Sequence, residues 1–186
     1  MHLAHHDSLM KAELVNARFW DLIKIRVPWL VIGLIGGLFA SVVVSHFELT
    51  LRETVALAFF IPVIAYMSDA IGTQTETVFI RALSNLKFNI GKYIVREVIV
   101  GATLGLMFGF LAGVFAFFLA DSATVAVIVG LSLSLSMTIA TGLACVTPII
   151  LKGFRQDPAV GSGPFTTAIQ DVVSLTIYLL IASLML

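Results

Sequence analysis

The sequence predicts an all-α membrane protein with five spanning helices per subunit, on three observations. The 186 residues are 59% hydrophobic and only 12% charged, about half the charge share of an ordinary soluble domain. The charges fall in short blocks separated by long apolar runs, and five of these runs approach or exceed the ~20 helical residues needed to cross a bilayer. The basic residues also collect at alternate ends of successive runs, as expected when positively charged loops stay in the cytoplasm.

The runs are Val27 to Phe47, Thr54 to Ile80, Val98 to Ala120, Ser122 to Leu151 and Phe165 to Leu186. The first, third and fourth contain no Asp, Glu, Lys or Arg. The second carries Asp69 and Glu76, and the fifth carries Asp171 alone. Lys11, Arg18, Lys24 and Arg26 precede the first run, Arg81, Lys87, Lys92 and Arg96 lie between the second and third, and Lys152 and Arg155 lie between the fourth and fifth. Arg52 alone falls on the other side. This asymmetry predicts a cytoplasmic N-terminus and an extracytoplasmic C-terminus in a multi-pass cell inner (plasma) membrane protein.

Residues 1–26 read as a cytoplasmic amphipathic segment, with Leu14, Phe19, Leu22 and Ile23 roughly on one face toward the lipid bilayer surface or the underside of the bundle. No small-residue cleavage site follows them, so a signal peptide is not expected. Residues 27–186 form the five-helix domain. Between its last two spans, "KGFRQDPAVGSGPF" reads as a turn because Pro158, Gly161, Gly163 and Pro164 interrupt helical continuity. Gly101, Gly105, Gly109 and Gly113, and likewise Gly33 and Gly37, recur every fourth residue as close-packing stripes. The basic residues are scattered rather than gathered into a patch, so no nucleic-acid partner is expected. The one cysteine, Cys145, excludes an internal disulfide framework and a thiolate cluster.

An ionisable side chain at membrane depth is retained mainly where it faces protein or a watery path. Asp69, Thr73 and Glu76 share a helical face at spacings of four and seven. Thr167, Asp171, Ser174 and Tyr178 form a second polar stripe. Asp69 lies about 22 Å along the second span and Asp171 about 18 Å from Ala159, so their depths are comparable and one shared aqueous path explains both. Pro62 and Gly72 are expected to loosen the second helix and free backbone carbonyls toward that path. Carboxylate, amide, hydroxyl and carbonyl oxygens without cysteine or histidine favour a hard cation, and Mg²⁺ is typically held by one or two carboxylates through its own waters.

These residues resemble the membrane domain of the MgtE family of magnesium channels and transporters. The similarity runs through "PWLVIGLIGGLFAS", "ALAFFIPVI" with "GTQTETVFIRAL", "REVIVGATLG" and "DPAVGSGPFTTAIQDVVSLTIY". The resemblance implies a homodimer whose cation path follows the dimer axis between the second and fifth helices. It also implies a pore aspartate at Asp171, a carbonyl ligand at Thr167, and cytoplasmic-side acidic positions at Asp157 and Glu97. The family pattern Gly-Gly-Asn-x-Gly-x-Gln stands here as Ser68-Asp69-Ala70-Ile71-Gly72-Thr73-Gln74, so the pore asparagine is replaced by Ala70 with an acidic neighbour. The 26 residues before the first span are too few for the family's cytoplasmic sensory modules, so magnesium-gated closure of that kind is not expected.

The full set of candidate metal-contacting residues is Asp69, Thr73, Gln74, Glu76, Glu97, Asp157, Thr167 and Asp171, with Mg²⁺ as the transported ion and ligand. Glu97 has an alternative as a surface ion pair with Arg96, and Asp157 has one as a turn or helix cap. Gln74 and Gly72 have one in helix packing. His2, His5 and His6 have helical spacing but lie at a chain terminus, where order is poor. No enzyme is predicted. The competing functions are an intramembrane aspartyl hydrolase, with Asp69 and Asp171 sharing a proton, and a membrane scaffold binding partner helices.

Overall fold

The computed structural model describes residues 18–85, 88–153 and 158–186, and all their regular structure is helical. Helix α1 is Phe19–His46, α2 the short Glu48–Glu53, α3 Ile61–Asn85, α4 Ile90–Ala120, α5 Ala123–Gly153 and α6 Pro158–Met185. A 3-10 segment, Val55–Phe60, feeds α3. Among the described residues, five helices are long and apolar enough to cross a membrane. Residues 1–17 of the predicted amphipathic segment lie outside the described residues, and the turns from Phe19 onward belong to α1 itself.

Several boundaries differ from the sequence expectation for identifiable reasons. Helix α4 begins at Ile90 rather than Val98 because Asn89 caps it, its side-chain oxygen accepting the Lys92 N–H at 3.0 Å. Pro158 is the first residue of α6, where a missing N–H costs nothing, so the segment expected to be a turn up to Phe165 is helical from there on. Pro62 likewise falls in the first turn of α3, and the helix runs unbroken through Gly72. The predicted loosening of this helix therefore does not occur. Gly72 instead supplies the space against which the Gln170 side chain rests.

Helix α5 is the centre of the bundle, packed by α3, α4 and α6, and α6 also packs on α1. The glycine stripe of α4 lies on α5: an added Cβ at Gly105 would meet Ser134 O at 2.6 Å, and one at Gly113 would meet Ala126 O at 2.9 Å. The Ser134 hydroxyl shares its one hydrogen between Gly105 O on α4 (2.9 Å) and Gly130 O on its own helix (2.8 Å), and the first contact ties the two helices where their backbones are closest. On α1 the close contacts to α6 are made by Gly33, beside Pro164, and Gly36, beside Ala168, while Gly37 faces open space. Apart from Ala40, no residue of α1 is buried, so its Leu30, Leu34 and Leu38 are left for lipid or a second copy.

An apolar core of Leu57, Phe60, Ile64, Leu133, Met137 and Leu179 closes the half of the bundle around the 3-10 segment. Tyr178, fully buried within it, donates its hydroxyl to Leu57 O at 2.7 Å. Tyr178→Phe orphans that buried carbonyl, and the expected cost is about 1–2 kcal/mol. Thermal unfolding of the detergent-solubilised protein measures it, and an unchanged midpoint would show that the bond contributes nothing.

Candidate cation site

The charged centre of the bundle is built from α3 and α6. Asp69 stands near the middle of its span, about 21 Å from Val55 and about 23 Å from Ser84, and Asp171 stands about 14 Å from Ser162 and about 21 Å from Met185. Both are half-buried in the protomer. The Thr167 hydroxyl, one turn before Asp171, donates to Asp69 Oδ1 at 2.7 Å and joins the helices. The carboxylates of Asp69 and Asp171 lie within electrostatic reach of one another. Comparable depth was legible in the spacing; the threonine that links the helices was not.

The Asp171 carboxylate has no hydrogen-bonding side chain among the described residues; only its backbone carbonyl takes a bond, from Ser174 at 3.3 Å. It is therefore a mid-membrane charge with its oxygens uncommitted. Thr73 and Gln74 are exposed on the protomer surface and continue the polar face of α3. Among the described residues no three carboxylate, imidazole or thiolate groups converge on one metal position. One protomer thus presents a sparse half-site of carboxylate and hydroxyl oxygens, suited to a cation that keeps its waters or shares its ligands with a second copy.

The other predicted residues separate from this face. Glu76 is only 6% exposed, and its carboxylate faces the hydroxyls of Ser162 and Thr166 on α6. Glu97 accepts a hydrogen bond from Thr75 at 3.3 Å, not from Arg96, and lies beside Tyr93, whose ring packs on Phe79 with centroids 5.2 Å apart. Asp157 lies outside the described residues, as do His2, His5 and His6. Thr167 takes part through its hydroxyl; the helix continues through its carbonyl, which the resemblance had implied as a ligand.

The predicted stripe on α6 also divides. Thr167 and Asp171 remain partly open, whereas Ser174 and Tyr178 are buried because α5 and the 3-10 segment cover α6 at their level. A second row, Ser162, Thr166, Gln170, Ser174 and Tyr178, is buried throughout. Its signal was present as polar residues at every fourth position, hidden because none of the first four is ionisable.

Residues 61–181 match the MgtE family, described as a divalent cation transporter. The chain belongs to the MgtE family. Its relatives include the magnesium transporter MgtE of Bacillus subtilis (strain 168), 37% identical over 161 residues, 85% of this chain and 36% of that protein. The magnesium transporter MgtE of Thermus thermophilus is 34% identical over 87% of this chain, and that of Enterococcus faecalis 30% identical over 86%, again 36% of each relative. The chain thus spans about a third of the length of these MgtE proteins. The MgtE family is one of transport rather than of catalysis.

Proposed function

We propose that the chain carries Mg²⁺ into the cytoplasm through a path formed where two copies meet, with α3 and α6 as its walls. The observation that carries this reading is the Asp69–Thr167–Asp171 set: Asp69 and Thr167 are bonded across two helices at mid-membrane, and the Asp171 carboxylate beside them has no side-chain partner among the described residues. In lipid a face bearing this set would be costly, and against its own symmetry mate it becomes the lining of a wet passage. Two copies bring four carboxylates around one axis. That charge suits a divalent ion moving with most of its water shell, for which direct inner-sphere ligands are few.

In this reading Asp171 supplies the central charge on α6, Asp69 stands on the α3 wall with Thr167 of α6 bonded to it, and Thr73 and Gln74 line the approach. Glu97 and Asp157 draw cations to the cytoplasmic mouth. Asp69 adds a carboxylate beside Ala70, so the site gains charge where it loses an amide. The named relatives support magnesium as the ion, and the basic loops support the inward orientation.

The direct experiment is Mg²⁺ uptake into proteoliposomes loaded with a magnesium-sensitive dye, compared with protein-free vesicles. Uptake above that background supports the reading, and none at any gradient ends it. Thr167→Val removes the bond that fixes Asp69 and is expected to raise the half-saturating Mg²⁺ concentration about fivefold, the equivalent of ~1 kcal/mol for one partly exposed hydrogen bond. Unaltered saturation behaviour would remove Thr167 from the site.

A further inference from the structure

Within the protomer, behind the face that bears Asp69 and Asp171, a second set of polar atoms is gathered at the seam between α3, α5 and α6. Among the described residues, Glu76 Oε1, Ser132 Oγ, Ser136 Oγ, Thr166 Oγ1 and Gln170 Oε1 are all buried without a hydrogen bond of good geometry, Glu76 and Thr166 facing one another. The residues that bear them are at most 6% exposed. Helical hydroxyls ordinarily satisfy themselves by donating to the carbonyl four residues back. Ser68, Thr103, Thr138, Thr147 and Thr176 do so here, at 2.6 to 3.0 Å. Ser132, Ser136 and Thr166 do not, and they sit with the one amide and the one carboxylate oxygen that are also orphaned.

The placement of these atoms is ordered. Gln170 Nε2 donates to Ala140 O at 3.0 Å, which registers α6 against α5 and leaves Oε1 free. Because the two helices are antiparallel, one turn from that point toward the 3-10 end brings Ser174 and Ser136 level, and one further turn brings Tyr178 and Ser132 level. In the other direction Thr166 follows Gln170, and then Glu76 on α3 faces Thr166 and Ser162. Residues four apart on a helix are separated by about 6 Å along its axis. This is about twice the ~2.8 Å of an O–H···O hydrogen bond, the distance that one bridging water molecule would span.

We propose that this seam binds a file of internal water molecules, an aqueous branch inside each protomer that is separate from the face proposed to pass Mg²⁺. Water fits the donor set better than a metal does. Gln170 Oε1 and an ionised Glu76 Oε1 accept only, the hydroxyls both donate and accept, and a water molecule offers two donors and two acceptors to such a mixture. A bound metal would find a single carboxylate among neutral groups. The branch also gives the buried Glu76 carboxylate a polar surrounding beyond its two neighbouring hydroxyls. It does not depend on Mg²⁺ passage, and its test does not use transport.

Radiolytic footprinting of the full chain in lipid nanodiscs reads bound water directly, because X-ray pulses make hydroxyl radicals wherever water resides. Tyr178, on the seam, and Met137, next to Ser136, are buried reporters at 0% and 2% exposure. Their oxidation in the parent protein is expected to be several-fold faster than in Ser136→Ala/Gln170→Met, which deletes the Ser136 hydroxyl and replaces the Gln170 amide by an apolar group of similar length. Equal labelling of both reporters in the two proteins overturns the proposal. Should the double variant fail to fold, an experimental map detailed enough to place solvent decides the matter. Density within hydrogen-bond distance of Gln170 Oε1 and Ser136 Oγ is expected, and a seam closed by protein atoms alone overturns it.

Discussion

Asp171→Asn is expected to lower the initial rate of Mg²⁺ uptake roughly ten- to a hundredfold while leaving the protein folded. Interactions with a charged group are worth ~1.5–3 kcal/mol, and each 1.4 kcal/mol is about a factor of ten. The two parts of this expectation separate a pore charge from a structural one. A carboxylate that held the bundle together would engage hydrogen-bond donors, and its loss would lower stability. Asp171 engages no side-chain donor among the described residues and stands near a second carboxylate, Asp69, so neutralising it relieves repulsion. The unfolding midpoint of Asp171→Asn should therefore match or exceed that of the parent. Asp171→Glu keeps the charge but moves it outward by one methylene, and an intermediate rate is expected. Stopped-flow fluorescence of dye-loaded proteoliposomes, paired with thermal unfolding, measures both quantities; full uptake in Asp171→Asn would remove the residue from the path.

Gly105→Leu is expected to produce the largest loss of stability. Helices α4 and α5 meet backbone to backbone at this point, and the obstacle to any side chain is Ser134 O at 2.6 Å, with Ser134 Cα at 3.2 Å. A carbonyl in mid-helix cannot rotate away, so the helices must part. Overpacking of this kind costs ~1–3 kcal/mol when side chains alone must shift. Here the Ser134 bond to Gly105 O is broken as well. Gly37→Ala is the matched control: nothing lies within 4 Å of its added Cβ, and replacing a helical glycine by alanine favours the helix by up to ~1 kcal/mol. Opposite signs for the two changes in detergent unfolding would confirm that only one of the glycines is a packing device. A Gly105→Leu protein of parental stability would refute the close approach of α4 to α5.

The contrast between those two glycines shows what the sequence could and could not reveal. Spacing identified the stripes, yet Gly33 and Gly37 looked equivalent, and the partner position on α6 belongs to Gly36 instead. The choice depends on rotation of α1 about its axis, which a nearly uniform apolar composition does not encode. Run lengths and charge blocks made the five spans readable, because bilayer thickness sets them independently of tertiary structure. The ends were less readable. Pro158 and Pro164 are breakers in isolation but tolerable inside α6, the first because it starts the helix.

At the site, Asp69 and Asp171 were identifiable because charge at membrane depth has few innocent explanations. Glu76 was assigned to the same face by helical angle alone. It turned out to be covered, because α6 places Ser162 and Thr166 against it, a fact of packing between segments 86 residues or more apart in the chain. The buried row through Gln170 escaped notice for the opposite reason. Neutral polar residues carry little cost signal in a sequence, although their regular spacing was on view.

Transport as proposed requires Asp171 to face a shared aqueous axis. A cryo-electron microscopy structure of the protein in lipid nanodiscs with Mg²⁺ tests this most directly. The expected map shows two copies related by a twofold axis, α3 and α6 of each lining it, and ion or water density between the paired Asp171 carboxylates. Asp171 turned toward lipid, or enclosed within a single protomer with no passage beside it, would contradict the account.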